Sequence, residues 1–129
     1  GGVFGDINLE EHRLWVERVC GEVGIRAFEP LWGESYESLL AEFLNSGFEA
    51  VIVNVRADLI GGEWVGKPLD EEFIAYLKRK GIDLCGERGE YHTLTVYGPP
   101  FKRRLKIVEA GKALQNGRWI LQISKIRLE

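Results

Sequence analysis

The chain has 129 residues, 45% of them hydrophobic and 29% charged, with a net charge of −3. That length suits one domain, or one domain with a remnant of another, and the composition is that of an ordinary globular protein. The negative balance excludes the basic surface on which non-specific nucleic-acid binding depends, and no apolar run is long enough to cross a bilayer.

Gly1 to Ile7 has neither the length nor the basic flank of a signal peptide, so a cytoplasmic location is expected. Cys20 and Cys85 stand far apart without a CxxC pair, which in such a protein reads as two thiols rather than a disulfide. Methionine is absent, so either the first residue has been processed or the chain begins inside its gene.

Gly1 to Ile7 reads as the end of a buried strand. Asn8 is expected to cap the first helix, with Glu11 completing a capping box. From Leu9 to Val23 the apolar residues Trp15, Val16, Val19, Cys20 and Val23 recur at helical spacing, and Gly24 stops the helix. Ile25 to Leu31 reads as a short strand. A second helix follows from Tyr36 to Asn45, with Ser35 as its cap and Gly47 as its end. The β-branched run from Ala50 to Val55 suits a strand buried on both faces, as in parallel sheets.

Gly61-Gly62 opens a loop that runs through Pro68. Asp70 caps a third helix carrying Phe73, Ile74 and Leu77, and Gly81 ends it. Tyr91 to Tyr97 alternates like a strand and Gly98-Pro99-Pro100 breaks it. Arg104 to Gln115 and Arg118 to Leu128 form a hairpin, whose Asn116-Gly117 suits a type I′ turn. Trp119, Leu121 and Ile123 share one parity, whereas Ile126 and Leu128 have the other, so a bulge is expected near Ser124-Lys125. The first half is α/β and the last third antiparallel, a switch that marks two layers or two domains.

The richest constellation is Cys85-Gly86-Glu87-Arg88-Gly89-Glu90-Tyr91-His92-Thr93. Its glycines permit tight turns and close approach of a ligand. Glu87 and Glu90 can hold an amine or another cation, and Tyr91, His92 and Thr93 add donors. The plain alternative is a solvated loop. Cys85, Glu87, Glu90 and His92 could form a metal set, but two histidines without a CxxC pair argue against structural zinc, and no metal is expected. Cys85 as a nucleophile would need His92 as its base, whereas an inert buried thiol is the commoner state. Cys20 falls on the apolar face of its helix. His12 and Arg13 either reach a phosphate or carboxylate near the strand ends or form a solvated face. Trp32 and Trp64 either line a pocket or pack.

Taken in order, these segments resemble the diphthine–ammonia ligase family of PP-loop ATP pyrophosphatases. The likeness rests on Gly5-Asp6-Ile7 with His12-Arg13 and Val19-Cys20, Pro30-Leu31-Trp32, Phe43 with Gly47-Phe48, and Trp64-Val65-Gly66 with Asp70. Cys85 to Thr93 follows, then Gly98-Pro99 and Phe101. The resemblance implies the tail of a Rossmann-like (adenine nucleotide alpha hydrolase-like) domain over residues 1–30. It implies a substrate-recognition α+β domain over 31–129, with a mixed sheet and the C-terminal hairpin.

The implied reaction uses ATP and Mg²⁺ to adenylate a carboxylate, which ammonia then converts to an amide. In archaea and eukaryotes the implied acceptor is the diphthine side chain of elongation factor 2. Gly86, Glu87, Gly89, Glu90, Tyr91 and His92 would face the acceptor, and Asp6 and Arg13 the nucleotide. Three departures accompany the likeness. No GxxxxGK[ST] or Ser-Gly-Gly-x-Asp-Ser loop is present. Asn8 to His12 replaces a Ser-x-Tyr-Gln segment, and His92 stands where the family has an acid.

Three functions compete: the C-terminal part of an amide ligase of this family, a related ligase acting on a different carboxylate, to which the departures point, and a non-catalytic module that recognises a protein or small ligand. The strand at residues 1–7 is expected either to join a sheet supplied by a missing N-terminal half, to self-associate, or to pair within a small sheet alongside 25–31 and 49–56.

Overall fold

A computed structural model describes all 129 residues. They divide into two compact units, Gly1–Leu39 and Leu40–Glu129, with the division inside the second helix.

In the first unit, β1 (Gly2–Val3) and β2 (Ala27–Phe28) pair in parallel across α1 (Glu10–Glu22). The strands are much shorter than their hydrophobic flanks suggested. Helix α1 has Leu9, not Asn8, at its N-cap position, in extended backbone and with no side-chain cap bond. Helical spacing nevertheless brings Val16 and Cys20 inward with Ile7. Val3, Leu14, Trp15, Val23, Ile25 and Phe28 stay exposed.

The second unit receives α2 (Tyr36–Asn45), then β3 (Glu49–Arg56), α3 (Glu71–Lys80), β4 (Tyr91–Tyr97), β5 (Leu105–Gln115) and β6 (Arg118–Leu128). The four strands form one sheet in the order β4-β3-β6-β5, and every pairing is antiparallel. The expected mixed sheet, and the parallel setting for Ala50–Val55, are therefore corrected. The reason lies in where β3 sits. It is an inner strand whose pairing with β4 shifts register between Ile52 and Asn54, so Val53 takes up an extra residue. That reset puts Ile52 and Val55, three residues apart, both fully inside. A central position with a bulge produces the same continuous apolar run as a parallel strand.

β6 pairs with β3 only from Arg118 to Ile120. Beyond that point the segment Gly66–Leu69 takes over. Gly66 N donates to Ile52 O (2.8 Å), Ile52 N to Lys67 O (2.9 Å) and Leu69 N to Ala50 O (2.8 Å). The inner strand thus keeps its backbone partners although one neighbour diverges.

Local signals act where expected. Asp70 accepts from Phe73 N at 3.0 Å, and Gly81 closes α3 with φ +66°. Ser35 Oγ accepts from Ser38 N at 3.4 Å. Asn116 and Gly117 take φ values of 49° and 73°, as a type I′ turn requires. Ser124 is the extra residue of β6, offset by Val108 on β5, and its hydroxyl donates to Glu109 O.

Phe73, on α3, has no exposed surface and is the hub of the core. Trp64 lies 5.2 Å from it and Tyr91 meets it edge-on at 5.1 Å. Trp64 therefore packs, meeting Tyr76 as well in a tilted contact at 4.8 Å. The hairpin joins the same layer through Trp119, which approaches Gly62 so closely that an added Cβ would lie 2.7 Å from the indole.

Phe73→Ala removes this hub and should cost about 3–5 kcal/mol of unfolding free energy. Urea unfolding should show a lower midpoint with an unchanged slope. A loss under ~1 kcal/mol would contradict the assignment.

Candidate functional site

The loop from Ile82 to Glu90 joins α3 to β4, and its shape follows from three local devices. First, Asp83 Oδ1 accepts from Cys85 N at 2.9 Å and from Gly86 N at 3.0 Å, an Asx-type turn. Second, Gly86 has φ +63° and lies against Tyr91; a Cβ there would sit 3.0 Å from the ring. Third, Gly89, at φ +77°, donates its N–H to Gly86 O at 2.9 Å and closes the turn.

Tyr91 anchors the loop from behind. Its hydroxyl donates to Leu84 O at 2.5 Å, and its ring packs edge-on against Phe73. Burial, reinforced by nearby negative groups, pushes the phenol well above its usual range, so it remains a donor. Strand alternation then decides the rest. With Tyr91 turned to the core, His92 falls on the opposite, exposed face, whereas Glu90, just ahead of β4, is itself buried.

His92 is exposed and stands opposite Asn54 in the register. Glu90 is 7% exposed; its Oε2 accepts from Arg88 N at 3.2 Å and its backbone carbonyl from Arg56 N at 2.9 Å. Glu87 is half-buried on the same loop. Gly86, Glu87, Gly89, Glu90 and His92 are thus gathered within one loop and strand end, and Tyr91 supports them from the core side.

Two further residues hold this loop. Arg118 donates Nε to Asn54 Oδ1 at 2.6 Å and Nη2 to Gly89 O at 2.7 Å. These contacts span 64 and 29 residues, and no local pattern announces them. Asp83 was within reach of sequence reasoning, because an aspartate two and three residues before the amides it caps is a turn signature.

In the first unit, Asp6 Oδ1 lies 3.2 Å from His12 Nδ1. The pair borders a cavity of about 270 Å³ lined also by Phe4, Trp15 and Val16. Arg13 lies over the Trp32 ring at 5.0 Å and donates to Glu17 at 2.9 Å. That ion pair is largely exposed, so it adds little stability. Glu29 Oε2 is 4.0 Å from Arg13 Nε, while its other oxygen is buried without a hydrogen-bond partner. Sequence reading overlooked Glu29. Trp32 thus serves as a platform for Arg13.

Neither cysteine forms a disulfide, and Cys20 is buried on α1. Burial, with Asp83 and Glu87 adding repulsion, pushes the Cys85 thiol up to about 12. A thiol so protonated is a poor nucleophile.

A compact α/β unit and an antiparallel sheet, with a glycine-framed acidic loop at the head of β4, define a mixed α/β chain. Residues 35–128 match the family described as "Diphthamide synthase C-terminal domain", and the chain belongs to that family. It is 36% identical over 114 residues to a diphthine–ammonia ligase of Bos taurus, covering 85% of this chain and 42% of the relative. The corresponding protein of Homo sapiens is 35% identical, again over 85% of the chain and 42% of the relative. That of Mus musculus is 32% identical over 100% of the chain and 52% of its own length. The chain thus spans about half the length of these relatives.

The thiol assignment has a direct consequence. In a Cys20→Ala variant, Cys85 should alkylate with iodoacetamide far more slowly than a free thiol at pH 8, because only about one molecule in ten thousand is thiolate when the pKa is near 12. The rate should still be climbing tenfold per pH unit at pH 10. A plateau near pH 9 would contradict the raised value.

Proposed function

We propose that this chain is the acceptor-recognition part of an ATP-dependent ligase that forms an amide from a carboxylate and ammonia. Membership of the family and the names of its relatives support the reading. The observation that carries it is the Gly86–Glu90 turn. Two carboxylates three residues apart, Glu87 half-buried and Glu90 buried, sit on a backbone held by Asp83, Tyr91 and Arg118. Neither helical nor strand periodicity calls for acids there.

Glu87 and Glu90 hold the cationic portion of the acceptor or the incoming ammonium, and His92 contributes a further contact. Gly86 and Gly89 let the backbone approach closely. Holding reactants in place in this way lowers the barrier without any covalent role for the protein. A diphthine-like acceptor, presented by elongation factor 2 in the cytoplasm, fits the charge of the loop.

ATP and Mg²⁺ are a different matter. This sequence has no glycine-rich loop to cradle a triphosphate, so no adenylation step is assigned to these residues. Residues 1–30 are read as the end of a Rossmann-like nucleotide domain, with Asp6 and Arg13 toward the nucleotide, and 31–129 as the recognition domain. The exposed Val3, Leu14, Val23, Ile25 and Phe28 support a first unit completed by further chain, from the same protein or from a second copy.

In the complete protein, Glu87→Gln and Glu90→Gln should each lower kcat/KM for amide formation by about 100-fold, while ATP binding is retained. Substrate-dependent AMP release and amide product are the quantities to follow. Unchanged kcat/KM in both variants would leave the segment as a structural loop and favour the non-catalytic module.

A further inference from the structure

We infer that Arg118 is the positioning residue of the acidic loop, setting the direction of the Glu90 carboxylate by holding the carbonyl of Gly89. The inference rests on the reading of that loop as the acceptor-facing site. Arg118 begins β6 directly after the Asn116-Gly117 turn. Its backbone partner across the sheet is Arg56, whose own amide holds the Glu90 carbonyl. The turn itself is tied to the same place, since Ala57 N donates to Gly117 O at 2.9 Å.

The register sets two arginines directly opposite each other, a like-charge pairing that is unfavourable by itself. Arg56 offsets its charge with a two-pronged bond to Asp58 at 3.2 and 2.7 Å. Arg118 feels the Asp58 charge as well, but its hydrogen bonds go to two uncharged oxygens, the Asn54 side chain and the Gly89 carbonyl. A rigid planar fork suits that bridging task, and a lysine ammonium cannot reproduce both bonds in fixed geometry.

Gly89 is the joint that matters. It has φ +77°, and it stands between Arg88, whose amide donates to Glu90 Oε2, and Glu90 itself. A glycine in the left-handed region rotates easily unless something holds its peptide. Anchoring its carbonyl fixes the peptide that leads into Glu90, and with it the Arg88 N–H···Glu90 Oε2 bond. The C-terminal hairpin thereby acquires a role beyond covering the core: it carries the clamp for the site.

The Arg88 amide reports this directly, because its hydrogen bond is made to the Glu90 carboxylate. Hydrogen exchange on the 129-residue chain should be at least about tenfold faster at Arg88 and Gly89 in Arg118→Met, with amides of the β3 core unchanged. In the complete protein, Arg118→Met should raise KM for the acceptor by about 10- to 100-fold and leave KM for ATP unchanged. Arg118→Lys should recover part of the loss.

Unchanged exchange at Arg88 and Gly89 would overturn the inference. So would a fall in kcat that follows the melting temperature with KM for the acceptor unaltered, since that is what a merely structural arginine would give. If the wild-type complete protein forms no amide, the ligase reading fails, while the exchange measurement still decides the role of Arg118.

Discussion

The contact on which the rest depends is the double anchoring of Tyr91. Its ring packs edge-on against Phe73, the fully buried centre of the core, and its hydroxyl binds the Leu84 carbonyl. One side chain thus ties the first residue of β4 to α3 and to the loop that precedes it. Because side chains alternate along a strand, committing Tyr91 to the core commits His92 to the opposite face, and Glu90 directly precedes the strand. Gly86 completes the arrangement by leaving room for the ring where any side chain would crowd it. The site is therefore a consequence of core packing, and its orientation is inherited from an aromatic contact.

Much of the second unit was legible because its cues are local. Asp70 and Gly81 bound α3, Asn116-Gly117 makes the hairpin, and the parity change at Ser124 marks a bulge. Each of these depends on residues within a few positions of one another. The sheet direction was not legible. A run such as Ala50–Val55 records burial, and burial is the same for an inner antiparallel strand with a bulge as for a parallel one. The first unit was misread at its ends for a related reason. Hydrophobic flanks suggested long strands, yet only two residues of each pair, and Leu9 takes the place expected of Asn8 at the head of α1.

At the site, the acidic loop stood out by composition, whereas what holds it did not. Arg118 and Asn54 meet only because β6 folds back beside β3, and no spacing rule links positions 54, 89 and 118. Tyr91 shows the converse case. A tyrosine beside two glutamates looks like part of a binding surface, but one step of strand alternation turns it inward. Chemistry-bearing residues are visible in a sequence; the tertiary contacts that aim them become visible with the fold.

The family places this chain beside proteins about twice its length. On the proposed function, the Gly86–Glu90 turn meets the acceptor. A crystal structure of the complete protein with a diphthine-bearing peptide tests it most directly. The cationic group of the acceptor should lie against the carboxylates of Glu87 and Glu90, with Tyr91 still packed on Phe73. An acceptor bound elsewhere, out of reach of both carboxylates, would contradict it.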